Sequence, residues 1–521
     1  MTSSSELRHS GARPDTLAVD HAHDPVPAAG SILAALIVLA LVLRFLDLGA
    51  WNFEATEMFT LRDSVRPQFR NPRPLGYLLN YFLVLPFRPL DEFGLRLMPA
   101  LAGVLAIPVI YLVGRRLFGA RTALFATLLL TVSPLHVFYS QLARYWSLVF
   151  LFSAVYPYAL YVGVRERNGR WFTIGCVTLV LAVLSHPVAA ILLSGPILWL
   201  LFTYFRPHYL REAWTYRGFR WGVAITGVLG IVLAIRLVPL LRDWITMHDQ
   251  NPGMGQFLLG PKLPTGPKQI MIIVAYLESL TFAVSLAAAA GIYLVWRDRD
   301  RTLGGFLASL AVVHPVVIAL ISIRTPVSQF YMLPPAPVYY LTAGVFLERL
   351  SRVDWRVRPR WLMPAAVTLA ILSVGVPTLV SQYRNGRRFD FRGVAHWLTP
   401  RLGPQDLIVS DQPMVLAHYL EGPAVLKLRH NAKPLVEAED SLRRAGDGVL
   451  WVVAPAPSHA FRTNLRQGGL AHFLYSGCQL RNTVGRGRLD FRQQYLQVFR
   501  CPPTTAPLSE PASGPGADYD R

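Results

Sequence analysis

Two carboxylates follow closely on the first apolar block of the sequence. Glu54 and Glu57 stand three residues apart in the run Trp51-Asn-Phe-Glu-Ala-Thr-Glu57. That spacing places both side chains on one side of a helical turn. A buried carboxylate beside a lipid-linked substrate can take a proton from an attacking hydroxyl or amine. The pair is therefore a candidate for proton transfer. The alternative interpretation is an exposed acidic turn.

A second group of polar side chains lies at the end of the third apolar block. Arg144 stands there nearly alone among aromatic neighbours, and a guanidinium is suited to binding phosphate with two parallel hydrogen bonds. Tyrosine and tryptophan at such a boundary are typical of an interfacial belt. The group consists of His136, Tyr139, Ser140, Gln141, Arg144, Tyr145 and Trp146.

Further along the chain, Glu278 lies near the start of a later apolar block. A charged residue in a membrane segment is a candidate site residue, unless it only marks the interface. Glu278, His186 and His314 have no metal-ligand spacing of their own, so no metal site is predicted.

The composition predicts a polytopic membrane protein that is mainly α-helical. Of 521 residues, 53% are hydrophobic and 16% are charged, against roughly a quarter charged in soluble domains. Apolar blocks of about 20 residues match the thickness of a bilayer, and they exclude small secreted, disordered and fibrous proteins. We predict about 11 transmembrane helices, at 28–48, 95–117, 120–139, 146–164, 171–186, 187–205, 219–241, 272–296, 303–323, 330–350 and 361–383.

The arginines predict the orientation of these helices. With the N-terminus in the cytoplasm, the inner segments hold roughly twice as many basic residues as the outer loops up to the eleventh span, as the positive-inside rule requires. The net charge of +20 follows the membrane blocks, so nucleic acid is not predicted as a partner. The first outer loop, 49–94, is an exception because it is rich in arginine, and its stretch 74–87 is predicted to be an interfacial helix.

The chain divides into four predicted regions. A disordered cytoplasmic tail (1–27) precedes the membrane domain (28–384), a small extracytoplasmic α/β domain (385–501) and a disordered tail (502–521). In the α/β domain we predict strands at 407–410, 424–428, 449–453 and 494–500, alternating with helices at 412–420, 434–446 and 457–468. Outside the cytoplasm, Cys478 and Cys501 could pair. The sequence contains no P-loop, dinucleotide fingerprint or HExxH motif.

Several motifs resemble those of one family. The sequence is similar to the GT-C glycosyltransferases that use polyprenyl-phosphate sugars, of the protein O-mannosyltransferase and lipid A aminoarabinose transferase type. The similarity covers about residues 40–165. It is carried by Arg44-Phe-Leu-Asp-Leu-Gly-Ala-Trp-Asn-Phe-Glu54-Ala, Pro74-Leu-Gly-Tyr77, Glu92-Phe-Gly-Leu-Arg96-Leu-Met-Pro99, Gly114-Arg-Arg-Leu-Phe-Gly and Ser133-Pro-Leu-His136-Val-Phe-Tyr139-Ser-Gln-Leu-Ala-Arg144-Tyr.

This resemblance implies a multi-pass enzyme of the bacterial inner membrane. It would transfer a sugar from a polyprenyl-phosphate carrier to an outer acceptor (a glycolipid, a cell-wall glycan or a protein). The resemblance implies inversion of the anomeric centre, because most family members invert it. Glu54 would be the base, with Glu57 as its substitute. Cofactor and metal requirements stay open. The donor phosphate would bind Arg144, Arg96 and Arg73, and the substrate would contact His136, Tyr139, Gln141, Tyr145 and Glu278.

The sequence also departs from the family pattern at four polar positions. Phe53 replaces the family aspartate, and Leu142 replaces the glutamate of Ser-Gln-Glu-Ala-Arg. Pro72-Arg73-Pro74-Leu75 stands for His-Pro-Pro-Leu, and Phe330-Tyr331 stands for Arg-Tyr. The alternative prediction is therefore a non-catalytic relative that binds lipid-linked glycan or scaffolds a partner transferase. A transporter would need a polar mid-membrane path and related halves, which the sequence does not show.

Overall fold

The computed structural model describes most of the chain. The described residues are 26–67, 71, 73–204, 268–322, 329–354, 361–385, 388–420, 425–428, 448–455, 477–485 and 495–501, with some single residues and pairs between them. Both predicted tails, the predicted span 219–241 and the predicted helices 434–446 and 457–468 lie outside these ranges, apart from a few scattered positions.

The first four fifths of the described chain are helical. The helices are α1 (Ala29–Phe45), α2 (Ala55–Val65), α3 (Pro74–Leu79), α4 (Glu92–Phe118), α5 (Ala120–Thr131), α6 (Pro134–Ser140), α7 (Trp146–Arg165), α8 (Gly169–Ser185), α9 (Ser194–Tyr204), α10 (Lys268–Leu280), α11 (Phe282–Leu294), α12 (Arg301–Ile321), α13 (Ala336–Arg352) and α14 (Leu362–Asn385). Short turns of π-helix (Asn80–Val84, Val295–Arg299) and of 3₁₀-helix (Pro187–Leu193, Gln329–Met332) connect some of them.

Among the described residues, four helices are long and apolar enough to cross a membrane: α4, α7, α12 and α14. The number rises to six if each of two bent helix pairs counts as one span. Four shorter helices are also apolar: α1, α8, and the segments Pro74–Val84 and Pro187–Leu201, which contain α3 and most of α9. The predicted count of eleven is therefore not confirmed, although a mostly helical chain with several spans is.

Two predicted spans are broken in the structure. The predicted span 120–139 divides into α5 and α6 at an angle of 62°, because Pro134 lacks an amide hydrogen and disfavours helical backbone at Ser133. The predicted span 272–296 divides into α10 and α11 at 92°. The residue between them, Thr281, has a φ of 71°, which a β-branched side chain rarely adopts. The first of these breaks turns the chain toward Arg144.

A five-stranded sheet follows the helical region. After α15 (Phe391–Leu398) come β1 (Leu407–Ser410), α16 (Pro413–Tyr419), β2 (Val425–Lys427), β3 (Leu450–Pro455), β4 (Gln479–Val484) and β5 (Leu496–Cys501). The strand order is β2-β1-β3-β5-β4, with the first three parallel and the last two antiparallel to their neighbours. The short apolar runs predicted as strands match β1, β2, β3 and β5. Strand β4 was not predicted, and it is mostly exposed.

One face of this sheet packs against the start of the helical region. Ile408, Trp451 and Val498 share a buried core with α15 and α16 and with Phe53, Met58 and Leu95. Apolar burial contributes roughly 25 cal/mol per Å², so a shared core fixes the two regions together. The sheet therefore lies at the same end of the bundle as α2 and the first residues of α4.

A disulfide joins the residue before β4 to the last residue of β5. Cys478 and Cys501 are bonded, as the sequence allowed. We expect that replacing both by serine lowers the free energy of unfolding of the C-terminal domain by about 3 kcal/mol, because the crosslink restricts the unfolded chain. Urea unfolding followed by the fluorescence of the tryptophans measures this difference. Replacing Cys176, which is buried and unbonded in α8, serves as the control for this domain. An unchanged unfolding midpoint in the double variant would contradict the expectation.

Candidate active site

The carboxylate of Glu57 is the centre of a buried ion-pair network. Its Oε1 accepts hydrogen bonds from Arg96 Nε (2.9 Å) and from the backbone N–H of Ala143 (2.7 Å). Its Oε2 accepts from Arg96 Nη2 (2.9 Å), Arg388 Nη1 (2.7 Å) and the backbone N–H of Glu54 (2.9 Å). Burial alone would raise the pKa of Glu57, but Arg388 and Arg96 outweigh that effect and lower the pKa to about 2.

This network encloses two residues that were predicted to act on substrate. Glu57 and Arg96 have no exposed side-chain surface. Arg96 also donates to the backbone carbonyls of Leu48, Trp51 and Asn52. Because every polar contact of the pair is inside the protein, the geometry argues against Glu57 as a substitute base and against Arg96 as a ligand of the donor phosphate. Both residues instead tie α2 to the start of α4.

Replacing Glu57 by glutamine is expected to lower the free energy of unfolding by about 3–5 kcal/mol, because two arginines then stay buried with an uncompensated charge. The thermal unfolding midpoint of the purified protein measures this loss. The control is Glu166→Gln, which breaks an ion pair with the partly exposed Arg116 and should cost less than about 1 kcal/mol.

The acid sensitivity of the same network has a defined direction. The carboxyl of Glu57 titrates near 4.5 in the unfolded chain and near 2 in the folded one. Its stabilisation is therefore complete above about pH 4.5 and is lost as the pH falls through about 2. A Glu57→Gln protein that unfolds at the wild-type temperature would show that the ion pairs do not stabilise the fold.

Glu54 precedes α2 and is only partly enclosed. Its Oε2 accepts a hydrogen bond from the hydroxyl of Thr56 (3.2 Å). Burial raises the pKa of the Glu54 carboxyl, while the charges of Arg388 and Arg144 oppose that rise and the charge of Glu57 adds to it. A carboxylate with a raised pKa is a better proton acceptor. Of the two predicted acids, Glu54 is thus the one with the access and the basicity of a general base.

Arg144 lies beside Glu54 and is connected to it through α2. Its Nη1 donates to the carbonyl of Thr56 (3.0 Å) and to the hydroxyl of Thr60 (3.1 Å). Thr56 therefore contacts Glu54 with its hydroxyl and Arg144 with its carbonyl. The structure brings together the acid and the guanidinium that the sequence analysis had selected separately.

Arg73 and Arg144 meet at the hydroxyl of Tyr145. Arg73 Nη1 is 2.5 Å and Arg144 Nη2 is 2.8 Å from that oxygen, and both guanidinium groups lie over the Tyr145 ring, at 5.2 and 4.6 Å from its centroid. Neither arginine forms an ion pair with a described acid. Two cations that share one neutral hydroxyl favour an anion, and phosphate suits such a pair.

The other predicted substrate residues lie elsewhere. His136 is buried, with its Nδ1 at 2.8 Å from Arg44 Nη2. Gln141 is buried and donates to the carbonyl of Leu46 (2.9 Å), and Tyr139 packs against Trp146 and Phe330. These three side chains make internal contacts, and their part in substrate binding stays a prediction.

Glu278 is exposed at the end of α10, close to the sharp bend before α11. Its predicted part in substrate binding stays a prediction.

Sequence reasoning missed a set of residues supplied by the C-terminal region. Arg388 contacts Glu57, Arg392 forms an ion pair with Glu92, and Tyr419 donates to Glu92 (2.6 Å). Each of these contacts joins residues 300 or more positions apart, so no local pattern indicates it. The only sequence signal was the cluster of arginines that follows α14.

A cavity of about 660 Å³ opens between α2, the start of α4 and the C-terminal domain. Leu61 and Val65 line it from α2, with Glu92, Arg392 and Tyr419 opposite. Thr56 and Thr60, which contact Arg144, point to the other side of α2. The cavity thus lies behind the Glu54–Arg144 site. In the described part of the chain, no group of three or more His, Cys, Asp or Glu side chains is arranged to hold a metal.

The fold and part of the sequence match known glycosyltransferases. Residues 73–232 match the family model for dolichyl-phosphate-mannose-protein mannosyltransferase. The structure of ArnT from Cupriavidus metallidurans in the apo state is similar over 91% of this chain and 98% of that chain, with 16% sequence identity and a TM-score of 0.56. The same protein bound to undecaprenyl phosphate matches with a TM-score of 0.52, again with 16% identity and coverage of 91% and 98%.

An archaeal structure shares the same fold. The oligosaccharyltransferase AglB from Archaeoglobus fulgidus, in complex with an inhibitory peptide and a dolichol-phosphate, is similar over 90% of this chain and 75% of that chain. Its identity is 13% and its TM-score 0.52. No curated protein sequence matches the chain. The family model matches about a third of the chain, and these solved glycosyltransferases share its fold, so the chain is similar to GT-C glycosyltransferases in both respects.

Proposed function

We propose that this protein is a membrane glycosyltransferase that moves a sugar from a polyprenyl-phosphate carrier to an acceptor at the outer face of a bacterial inner membrane. The observation that carries the proposal is the meeting of Arg73 and Arg144 at Tyr145, beside the accessible acid Glu54. A lipid phosphate supplies the anion that this pair of cations favours. The acceptor is a glycolipid, a cell-wall glycan or a protein.

The residues act in one displacement step. Glu54 takes the proton of the acceptor hydroxyl as its oxygen forms a bond to the anomeric carbon. The bond from that carbon to the phosphate oxygen breaks, and its electron pair stays on the polyprenyl phosphate. Arg73 and Arg144 stabilise the negative charge that develops there, which is usually the largest contribution a site can make. A single displacement inverts the anomeric centre.

The proposed orientation rests on two features. The disulfide between Cys478 and Cys501 favours an oxidising compartment, and the arginine bias of the loops favours a cytoplasmic N-terminus. Since the C-terminal domain packs on α2 and α4, the Glu54–Arg144 site lies on the same side as that domain. We therefore assign the whole site to the extracytoplasmic face, and we retain eleven spans as the proposed topology.

The proposal is tested first with the carrier itself. The purified protein in nanodiscs should bind undecaprenyl phosphate, and native mass spectrometry detects that complex directly. Polyprenyl-phosphate pentoses and hexoses should then be consumed by membranes that contain the protein, with release of the free polyprenyl phosphate. A protein that neither binds the phosphate nor consumes any such donor would not be a transferase of this type.

A second candidate is a non-catalytic relative that binds lipid-linked glycan. Phe53, at the position of the family aspartate, is only 1% exposed and belongs to the shared core. Leu142 is buried as well, at the position of the family glutamate. This candidate predicts that undecaprenyl phosphate binds while no donor is consumed, so the same two measurements separate the candidates.

A further inference from the structure

The segment from Ala50 to Glu54 has no regular secondary structure, yet side chains hold its backbone. The carbonyl of Trp51 accepts from Arg96 Nη1 (2.8 Å), and the carbonyl of Asn52 accepts from Arg96 Nη2 (3.0 Å). The N–H of Glu54 donates to Glu57. Buried backbone polar groups almost always need such partners. The conformation of the segment, and with it the place of Glu54, depends on these side chains.

Three of the holding side chains come from the C-terminal region. Arg388 Nη1 donates to the carbonyl of Asn52 (3.0 Å), and Arg392 Nη1 donates to the carbonyl of Ala50 (3.4 Å). The hydroxyl of Tyr419 accepts the N–H of Phe53 (2.7 Å). They contact the backbone of Ala50, Asn52 and Phe53, immediately before Glu54.

Two of these side chains, those of Tyr419 and Arg392, are themselves anchored on α4. Tyr419 donates its own proton to Glu92 Oε1 (2.6 Å), and Arg392 pairs with the same carboxylate. Tyr419 is thus fixed from both sides, as the acceptor of one hydrogen bond and the donor of another. A side chain held in this way can set the position of a backbone amide within a few tenths of an ångström, which catalysis requires of a general base.

We propose that Tyr419, assisted by Arg392, is a positioning residue that makes the C-terminal domain part of the transferase site by holding the Phe53–Glu54 backbone. The inference rests on the proposed function of Glu54. It separates two roles within the site. Among the described residues, Arg73 and Arg144 form their side-chain hydrogen bonds with Thr56, Thr60 and Tyr145, and none with the C-terminal domain. Loss of the Tyr419 hydroxyl should therefore affect turnover and leave phosphate binding intact.

The test is Tyr419→Phe in the full-length protein, which removes one oxygen and keeps the ring. We expect turnover to fall on the order of tenfold, because the Phe53 amide loses its partner, while the Kd for undecaprenyl phosphate stays within twofold. The matched control is Tyr339→Phe, which removes the hydroxyl that donates to the carbonyl of Ala311 (3.0 Å) in the helical region. That variant should turn over donor at the wild-type rate.

Two further readouts distinguish positioning from loss of stability. Hydrogen exchange of peptides that cover 50–57 should accelerate in Tyr419→Phe, whereas peptides that cover 134–150 should not change. The acid limb of the pH–rate profile should move to lower pH, since Glu54 gains water while Arg388, Glu57 and Arg144 still face it. If the wild type proves inactive, the proposed function fails. Hydrogen exchange still tests whether Tyr419 fixes the backbone of residues 50–54 in that case.

The outcomes are decisive in both directions. Faster exchange at 50–57 with lower turnover and unchanged phosphate affinity supports the proposal. Wild-type exchange in that segment, or wild-type turnover with a normal pH profile, overturns it. A parallel loss of turnover, phosphate affinity and thermal stability also overturns it, because Tyr419 would then support the whole fold.

Discussion

Replacing Glu54 by glutamine is expected to lower the rate of sugar transfer by about 100- to 10,000-fold, the range that a general base typically supplies. Glutamine keeps the size of the side chain and can still contact Thr56, but it cannot accept a proton. Because Glu54 touches neither Arg73 nor Tyr145, the affinity for undecaprenyl phosphate should change little. Single-turnover release of polyprenyl phosphate, measured at saturating donor, isolates this step from binding.

The pH dependence provides an internal check on the same residue. Since burial raises the pKa of Glu54, wild-type turnover should rise with pH through a value above that of an ordinary glutamate. This limb should disappear in Glu54→Gln. The control is Asp63→Asn, which neutralises another acid of α2 that pairs with the exposed Arg62. Turnover by Glu54→Gln within twofold of wild type would remove Glu54 from the mechanism.

Replacing Arg73 and Arg144 together by glutamine is expected to abolish measurable binding of undecaprenyl phosphate and to lower turnover by at least about 100- to 1,000-fold. That is the cost of removing one donor that stabilises transition-state charge in other sites, and here two cations are lost. Each single variant should retain part of the undecaprenyl phosphate binding and part of the turnover. Titration of nanodiscs with undecaprenyl phosphate and kcat/KM for donor measure the two effects.

The matched control uses another arginine of the loop 49–94, which also contains Arg73. Arg88 pairs with Asp91 near the surface, so Arg88→Gln changes the charge of the loop by the same amount as either single variant, without touching the Tyr145 hydroxyl. The Arg88→Gln protein should bind undecaprenyl phosphate with the affinity of the wild type. Equal weakening by Arg88→Gln and Arg144→Gln would mean that the loop attracts the phosphate by its net charge and holds no specific site.

The predicted fold was correct where the pattern depended on local hydrophobicity. Trp146–Arg165, Arg301–Ile321 and Leu362–Asn385 lie within a few residues of predicted spans, since an uninterrupted apolar run has few alternatives. The breaks after Thr131 and Leu280 were not predicted. Ser133-Pro134 carried a signal for the first, whereas the second depends on the positive φ of Thr281, which its residue type disfavours.

For the candidate site, the sequence supplied the types of residue and the structure supplied their roles. Glu54, Glu57 and Arg144 could be selected from spacing and charge, and Arg96 from the family resemblance. The burial of these side chains could not be predicted from the sequence, and burial divides the four residues into two pairs. Glu57 and Arg96 neutralise each other inside the protein, whereas Glu54 and Arg144 keep access to solvent.

The amino-acid sequence by itself determined a helical membrane protein with a C-terminal α/β domain, because apolar length and strand-helix alternation are properties of neighbouring residues. Only the tertiary structure decided that Arg388, Arg392 and Tyr419 hold the segment before Glu54. Those contacts join residues more than 300 positions apart, and their energy depends on distance, burial and hydrogen-bond geometry, which exist only once the chain has folded.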